Sequence, residues 1–305
     1  MSEKKKIILV TGSSNGIGRL TAETLARQGH HVYASMRAID SKNAAKRDEF
    51  LKLAQDEKLM LKPIELDVRD QQSVEQAVAD IISEAGRIDI VINNAGIMYV
   101  GVSESFSMQQ VKEQFDTNFF GVERVTRAVL PHMRNERDGL FINISSLAGR
   151  VVFPFFAYYC ASKWALEALT EGYRYELTPL GIESIIVEPG PFPSGLIGSI
   201  PDDLNTQIMD AYGEIGQIPG TMIGNFVEMF SSPDAPNTQD VADAIAGLVA
   251  KPKFQRPVRT VVGMDFGVRS LNESAAPVQE GLVQGLGLDH LAKAPADQAN
   301  QVHAV

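Results

Sequence analysis

The sequence predicts a doubly wound α/β fold of the Rossmann type, with a mostly parallel, seven-stranded sheet and helices on both faces. Short apolar, β-branched runs alternate with longer amphipathic segments, which is the pattern of successive β-α-β units. A glycine-rich turn also follows the first apolar run at once and leads into a helical pattern. In such sheets ligands bind beyond the carboxyl ends of the strands, so we expect the site there.

Periodicity predicts each element. Apolar runs bounded by turn residues predict strands at residues 7–10, 31–36, 59–66, 88–92, 140–144, 182–187 and 259–262. Apolar residues at spacings of three and four predict helices at residues 20–28, 41–57, 71–85, 107–133, 156–177, 238–249 and 276–288. Asn118 and Gly121 are poor helix formers inside the 107–133 helix, so we expect a kink there or a particular role for Asn118.

Composition limits the class of protein. The chain has 305 residues, 44% of them hydrophobic, and we predict one domain over residues 1–290 followed by a disordered tail over 291–305. A net charge of −10 argues against nucleic acid and anionic membranes as partners, and no apolar run is long enough to cross a membrane. The single cysteine, Cys160, fits a reducing compartment, so we expect a cytoplasmic protein. The histidines do not form a cluster with zinc spacing, so we expect no metal.

The glycine-rich turn runs from Thr11 to Gly18 between the first strand and the first helix. Glycines there allow a tight turn and close approach of a pyrophosphate, and the helix N-terminus supplies free N–H groups and a positive dipole end. The spacing is Gly-x-x-x-Gly-x-Gly, which differs from the common dinucleotide fingerprint.

Arg37 ends the second strand, at the position where an acidic residue would select NAD(H). An arginine suits a 2′-phosphate instead, so we expect NADP(H) to be preferred, with NAD(H) possible.

Tyr159 and Lys163 stand four residues apart in the 156–177 helix and therefore lie on one face. Free tyrosine titrates near pH ~10, but a nearby ammonium favours the phenolate and lowers the pKa. Tyr158 is the competing candidate, but it lies about 140° round the helix from Lys163. The spacing predicts Tyr159 as a group that passes a proton to or from a substrate oxygen.

Taken in order, the motifs resemble those of the short-chain dehydrogenase/reductase family, in its compact branch. The matching residues occur in the family's order and at its spacings across about the first 195 residues: Thr11-Gly12, Gly16-Ile17-Gly18, Asp67-Val68, Asn93 to Gly96, Asn118, Ser146, Tyr159, Lys163 and Pro189-Gly190. The run from Tyr159 to Lys163 is most similar to the hydroxysteroid and retinol dehydrogenase-like members.

The resemblance implies a role for each matching position. Tyr159 would be the acid–base group, Ser146 would orient the substrate oxygen, and Lys163 would lower the tyrosine pKa and hold the nicotinamide ribose. Asn118 would anchor a water that connects Lys163 to solvent. The implied cofactor-binding residues are Gly12, Ser13, Ser14, Asn15, Gly16, Ile17, Gly18, Arg37, Asp67, Val68, Asn94, Ala95, Gly96, Tyr159, Lys163, Pro189, Gly190, Phe192 and Ser194.

The substrate region follows Ser194. Residues 195–234 lack a clean period, and in relatives this segment covers the substrate, so we expect an irregular lid inserted before the last helix–strand unit. Candidate substrate contacts are Met98, Ser146, Phe153, Phe155, Tyr159 and Tyr212. Their apolar character predicts a hydrophobic or aromatic ketone, aldehyde or alcohol.

Two alternatives to this enzyme stay open, a dinucleotide sensor without activity and a sugar-nucleotide epimerase or dehydratase. Intact Ser146, Tyr159 and Lys163 argue against the sensor, and the glycine pattern argues against the epimerase. Relatives pair through the two long helices, which implies a homodimer or homotetramer. The helix at 276–288 has Val278, Leu282 and Leu286 on one face and could pack on a partner subunit or on the lid.

Overall fold

Seven parallel strands form one sheet in the order β3-β2-β1-β4-β5-β6-β7. The computed structural model describes residues 5–295. The strands are β1 (Ile7–Val10), β2 (His31–Met36), β3 (Leu61–Glu65), β4 (Ile90–Asn93), β5 (Gly139–Ile144), β6 (Ile182–Pro189) and β7 (Arg259–Val262). The strand order reverses between β1 and β4, which is the point where doubly wound sheets open a crevice for ligands. The predicted fold class is confirmed.

Helices cover both faces of this sheet. They are α1 (Gly16–Arg27), α2 (Ala44–Glu57), α3 (Gln71–Ala85), α4 (Met108–Phe115), α5 (Gly121–Glu136), α6 (Ala157–Leu177), α7 (Thr206–Ala211), α8 (Glu214–Ser231), α9 (Gln239–Ala250) and α10 (Val268–Gly285). One buried core packs Leu25, Phe50 and Ile245 against one face, and another packs Ile81 and Val129 against the opposite face. This double burial explains why the strands are continuous apolar runs.

The parallel register places the predicted site residues at one edge. Val10 pairs with Ala34 of β2 and with Ile92 of β4, so the loops after these strands begin at the same level. Asn93 pairs with Asn143 of β5, and the two amides share a buried hydrogen bond of 2.8 Å. Met36 at the end of β2 pairs with Glu65 of β3, so the ends of the first four strands, followed by Thr11, Arg37, Asp67 and Asn94, lie along one edge of the sheet.

The helix predicted at 107–133 is interrupted rather than continuous. A π-helical turn, Asp116–Phe120, separates α4 from α5 and contains Asn118. A π turn holds one extra residue and is frequent at functional sites. The irregularity expected from Asn118 and Gly121 is thus present, in the form of a π turn.

The 195–234 segment is mostly helical, which corrects the expected irregular lid. Gly216 and Pro219 lie inside α8 and are poor helix formers, so they concealed its period. A Cβ at Gly216 would collide with the carbonyl of Met209, so glycine lets α8 lie directly against α7. The last helix also begins earlier than expected, at Val268, because polar residues such as Asn272 occupy its first turns.

Within residues 5–295, none of the helices is long and apolar enough to cross a membrane. The same residues hold no group of three or more His, Cys, Asp or Glu side chains arranged to bind a metal ion. The single-domain boundary at residue 290 stays a prediction, and most of the tail predicted at 291–305 lies outside the described residues.

Candidate active site

A cavity of about 920 Å³ opens at the carboxyl ends of the strands. Most of the predicted site residues line it: Gly12, Ser14, Asn15, Ile17, Gly18, Arg37, Asp67, Val68, Asn94, Ala95, Gly96, Met98, Ser146, Phe153, Tyr159, Lys163, Pro189, Gly190, Phe192 and Ser194. Residues from six separate parts of the chain, all within its first 195 residues, therefore meet in one space.

Five predicted residues lie outside the cavity wall: Ser13, Gly16, Asn118, Phe155 and Tyr212. Ser13 is fully buried, and its hydroxyl donates to the carbonyl of Val10 over 2.9 Å, so it holds the turn rather than a ligand. Tyr212 is exposed and donates to Glu104 over 2.8 Å on the outer surface. Its position is set by the helical form of the lid, which periodicity did not indicate.

Phe155 contributes to the apolar wall of the cavity through its backbone. It has a φ of 67°, and its carbonyl accepts a 2.9 Å hydrogen bond from Gly101. Its ring packs among other partly buried residues around Tyr159. Phe155 supports the wall from behind, whereas Phe153 and Phe156 face the cavity.

The glycine-rich turn packs closely against two neighbouring loops of the cavity and ends at the start of α1. Gly12 has a φ of 67°, and a Cβ there would lie 2.7 Å from the Cα of Ala95. Gly16 has a φ of 54°, and a Cβ there would collide with the carbonyl of Ser194. Asn15 caps α1 without a side-chain hydrogen bond, so the first N–H groups of this helix are not capped by that side chain. Uncapped N–H groups at a helix N-terminus form a site for phosphate.

Asn94 fixes the turn from the neighbouring strand. Its side-chain amide donates to the carbonyls of Thr11 and Gly12 over 2.9 and 3.0 Å. The Thr11 hydroxyl accepts from the backbone N–H groups of Asn94 and Ala95, each over 3.0 Å. The two loops are therefore locked together before any ligand binds.

Two cationic side chains line the far end of the cavity, Arg37 and Lys42. Across residues 5–295, neither makes a side-chain hydrogen bond or ion pair. The loop between them is ordered by Glu65, which accepts from the N–H groups of Ala38 and Ile39 over 2.8 and 2.7 Å. Sequence reasoning missed Lys42, although its position five residues after Arg37 in the same loop was a usable signal.

The Tyr159 side chain is almost fully buried beside Ser146. Burial raises the pKa of Tyr159 to about 12, and the hydrogen bond with Ser146 acts weakly in the opposite direction. The Ser146 hydroxyl also accepts from the N–H of Ala148 over 3.1 Å, which fixes its orientation. The lowered tyrosine pKa expected from the sequence is therefore not present in this structure, because burial dominates.

Lys163 is buried on the same face of α6, with its Nζ 5.8 Å from the centre of the Tyr159 ring. Burial lowers the pKa of Lys163 to about 8, while Glu167 acts to raise it. Tyr158 instead points away, stacks edge-on against Phe106 and donates to the carbonyl of Ser103 over 3.3 Å. The four-residue register thus brings Tyr159, not Tyr158, to the lysine.

Asn118 lies behind the cavity in the π turn and is fully buried. Its amide accepts from the N–H of Ile97 over 2.9 Å and donates to the Ile97 carbonyl over 2.9 Å. It also donates to the Ser162 hydroxyl over 3.1 Å, next to Lys163. Asn118 therefore ties the loop after β4 to α6, and its role in holding a water remains a prediction.

The other half of the cavity is apolar and aromatic. The ring of Phe156 lies 6.5 Å from Tyr159 and 6.4 Å from Phe226 of α8. Phe153 lies 6.1 Å from Phe266, which follows β7 and was not predicted. Nothing local marks Phe266, because its place depends on how the chain returns after β7.

Comparisons with known proteins identify the family of this chain. Residues 6–205 match the family model for short chain dehydrogenases. A 190-residue segment is 42% identical to a 3-ketodihydrosphingosine reductase of Bacteroides thetaiotaomicron, and it spans 62% of this chain and 65% of that relative. The chain is 31% identical to retinol dehydrogenase 8 of Bos taurus over 275 residues, 85% of this chain and 83% of that protein.

A solved structure shows the same architecture. The protein ElxO, solved with NADP bound, superposes with a TM-score of 0.68 at 25% identity, covering 88% of this chain and 100% of that one. The chain belongs to the short-chain dehydrogenase family.

Proposed function

We propose that the protein is an NADP(H)-preferring oxidoreductase that interconverts a ketone or aldehyde and an alcohol on a hydrophobic or aromatic substrate. One observation carries the proposal: the Tyr159 and Ser146 hydroxyls meet between a glycine-turn half and an aromatic half of the same cavity. The names of the relatives, a ketodihydrosphingosine reductase and a retinol dehydrogenase, support chemistry between a carbonyl and an alcohol.

The residues present fit a nicotinamide dinucleotide. The Gly12–Gly18 turn and the uncapped start of α1 suit a pyrophosphate, and Pro189 to Ser194 line the same cavity. When bound, a nicotinamide supplies or accepts a hydride. Arg37 and Lys42 offer two unpaired cations at the opposite end, which suits a 2′-phosphate and favours NADP(H).

The chain's own residues then handle the substrate oxygen. With a pKa of about 12, Tyr159 is protonated at neutral pH and can donate a proton to a carbonyl oxygen without prior ionisation. Ser146 holds that oxygen with a hydroxyl already oriented by Ala148. Oxidation of an alcohol needs the phenolate instead, which is scarce at neutral pH.

The substrate body would occupy the aromatic half. Phe153, Phe156, Phe226 and Phe266 give it apolar walls, and no lysine or arginine occurs between residues 195 and 234. Such a surface binds an apolar scaffold and leaves only the reacting oxygen to polar groups.

A substrate panel tests the proposal. Apolar ketones, aldehydes, a charged sugar and an acyl-CoA are each incubated with NADPH and with NADH, and the absorbance of the reduced cofactor is followed. We expect the highest kcat/KM for apolar carbonyls with NADPH. No turnover on any carbonyl would favour a dinucleotide sensor, and isomerisation without net cofactor consumption would favour an epimerase.

We also propose a homodimer or homotetramer that pairs through α4–α5 and α6. Phe120 and Trp164, in or next to these helices, are 49% and 45% exposed. Large apolar side chains that remain this exposed suit an interface with a second copy.

A further inference from the structure

A buried carboxylate, Glu167, lies directly behind the loop that carries Ser146. It is 2% exposed and one helical turn beyond Lys163 on α6. Its Oε1 accepts a hydrogen bond of 2.7 Å from the hydroxyl of Ser145. The same oxygen fills the space that a Cβ at Gly149 would need. Glu167 therefore contacts the segment 145–149 at both of its ends.

The second oxygen of Glu167 faces two guanidinium groups. Arg259 of β7 approaches it to 3.2 Å and Arg150, just after the 145–149 segment, to 4.0 Å. Arg259 also contacts Glu171 on α6 over 3.0 Å and Glu188 on β6 over 3.4 Å. Glu167 is thus held both from the end of β5, through Ser145, and from the start of β7, through Arg259.

The network continues into the C-terminal helix α10. Asn272 donates to Glu188 over 2.6 Å and accepts from Arg150 over 2.7 Å. Glu188 immediately precedes Pro189 and Gly190, which line the cavity. This network of hydrogen bonds and ion pairs around Glu167 therefore reaches both the loop that carries Ser146 and the segment proposed to border the nicotinamide.

Such an arrangement is costly to bury, so stability alone explains it poorly. Three carboxylates, those of Glu167, Glu171 and Glu188, share the two guanidinium groups. Burial raises the pKa of Glu167, and burial together with Glu167 raises the pKa of Glu188 to about 7. Buried ion pairs often contribute little net stability compared with apolar packing.

We infer that Glu167 is a positioning residue: it fixes the spacing between the Ser146 loop and the Lys163 turn. The same carboxylate lies one helical turn from Lys163, and its charge acts to raise the pKa of that lysine. The inference rests on the proposed oxidoreductase function for its kinetic test. Two separate contributions follow, one mechanical through Ser145 and one electrostatic through the carboxylate charge.

Two variants separate these contributions. Glu167→Gln keeps the shape and the hydrogen-bonding capacity but removes the charge. Lys163 then loses the nearby negative charge that favours its ammonium form. We therefore expect the part of the pH profile of reductive kcat that reports Lys163 to move to lower pH. The loss of kcat relative to the unmodified protein should grow between about pH 6 and pH 8. Ser145→Ala cuts the hydrogen bond and keeps the charge, so we expect kcat to fall about tenfold at every pH, without movement of that limb.

Glu171→Gln is the matched control. Glu171 is one turn further along α6, and within residues 5–295 its carboxylate bonds to Arg259 but not to the 145–149 segment. We expect wild-type kcat, KM and pH profile from this variant. A Glu167→Gln profile that coincides with that of Glu171→Gln would overturn the electrostatic part, and full kcat in Ser145→Ala would overturn the mechanical part.

A second measurement does not depend on turnover. In crystal structures we expect the distance from Ser146 Oγ to Lys163 Nζ to change by about 0.5 Å or more in Ser145→Ala and to stay unchanged in Glu171→Gln. An unmoved Ser146 in Ser145→Ala would overturn the positioning role. If the unmodified protein reduces no carbonyl, the proposed function fails, while this comparison still decides the position of the loop.

Discussion

The Nζ atom of Lys163 donates a hydrogen bond of 2.8 Å to the carbonyl of Ile144. Ile144 is the last residue of β5 and precedes Ser145 and Ser146. The bond therefore joins α6, which carries Tyr159, to the strand end that carries Ser146. An ammonium buried against a neutral carbonyl costs stability, and burial accordingly lowers the pKa of Lys163 to about 8.

Replacing Lys163 should remove activity without lowering the stability of the fold. In the folded protein the pKa of Lys163 is about 8 against an ordinary value of 10.5, so its charged form costs on the order of 3 kcal/mol. The cost is fully present below about pH 8, where both states are charged, and it disappears as pH rises toward 10.5. We expect Lys163→Met to abolish turnover and to be at least as stable as the unmodified protein at pH 7.

Thermal unfolding of both proteins between about pH 6 and 10 measures this. The stability of the unmodified protein relative to Lys163→Met should rise across the upper part of that range. A relative stability that falls with pH, or a strongly destabilised variant at pH 7, would contradict the assignment.

The proton donor can be tested with two neighbouring tyrosines. Tyr159→Phe removes the buried hydroxyl beside Ser146, and we expect kcat to fall by about 10² to 10⁴ with little change in cofactor affinity. Tyr158→Phe removes only a 3.3 Å bond to the Ser103 carbonyl and should be mild. Steady-state kinetics measure kcat and cofactor titration measures affinity in both variants. An inactive Tyr158→Phe would show that Tyr159 is not the proton donor.

Cofactor choice should depend on the two unpaired cations. Arg37→Asp places a carboxylate where a 2′-phosphate is expected, and we expect its KM for NADPH to rise far more than its KM for NADH, because a charge-assisted bond is worth roughly 1.5–3 kcal/mol. Lys42→Ala should act in the same direction and more weakly. Lys46→Ala is the control, because Lys46 pairs with Glu49 on the outside of α2. Equal KM for both cofactors in the unmodified enzyme would refute the preference.

The lid helix should set affinity for apolar substrates. Phe226 lines the cavity and contacts Phe156, so Phe226→Ala should raise KM for apolar ketones while kcat changes less. Ile218 lies on the same helix, is 41% exposed and does not line the cavity, so Ile218→Ala should leave KM unchanged. Similar KM values for the two variants would place the substrate elsewhere.

Assembly should depend on α6. Trp164→Arg would put a charge on the proposed interface and should yield monomers by light scattering at micromolar concentration. Leu51→Arg changes an exposed apolar residue of α2, outside the proposed interface, and should leave the oligomer intact. A monomeric unmodified protein, or dissociation by Leu51→Arg alone, would contradict the interface.

The parts of the site set by local spacing were predictable. Tyr159 and Lys163 share a helix face because helix geometry is fixed, and the glycine turn is read from adjacent residues. Contacts between distant segments were not predictable in this way. Phe266 reaches Phe153 across more than a hundred residues, and the helical lid was hidden by Gly216 and Pro219.

Local rules also misjudged the electrostatics. An adjacent lysine implies a lowered tyrosine pKa, but the depth of burial decides the balance and cannot be read from a four-residue spacing. The carboxylates behind the loop, such as Glu167, look in sequence like an ordinary charged helix face. Only the packing of β7 against α6 shows that they are buried.

The π turn at Asp116–Phe120 limits how this chain can change in length. Removal of one residue would close the turn to α geometry, and Asn118 would then change its place on the helix relative to α4. The loop after β4 is bonded by two side chains on either side of this change: Gln114 accepts from the N–H of Tyr99 over 2.8 Å, and Asn118 accepts from the N–H of Ile97. After the deletion, both side chains could no longer reach this loop together. A single deletion there should disorganise the loop after β4 while the fold survives, so length variation in this enzyme is expected at the surface turns and not in this helix.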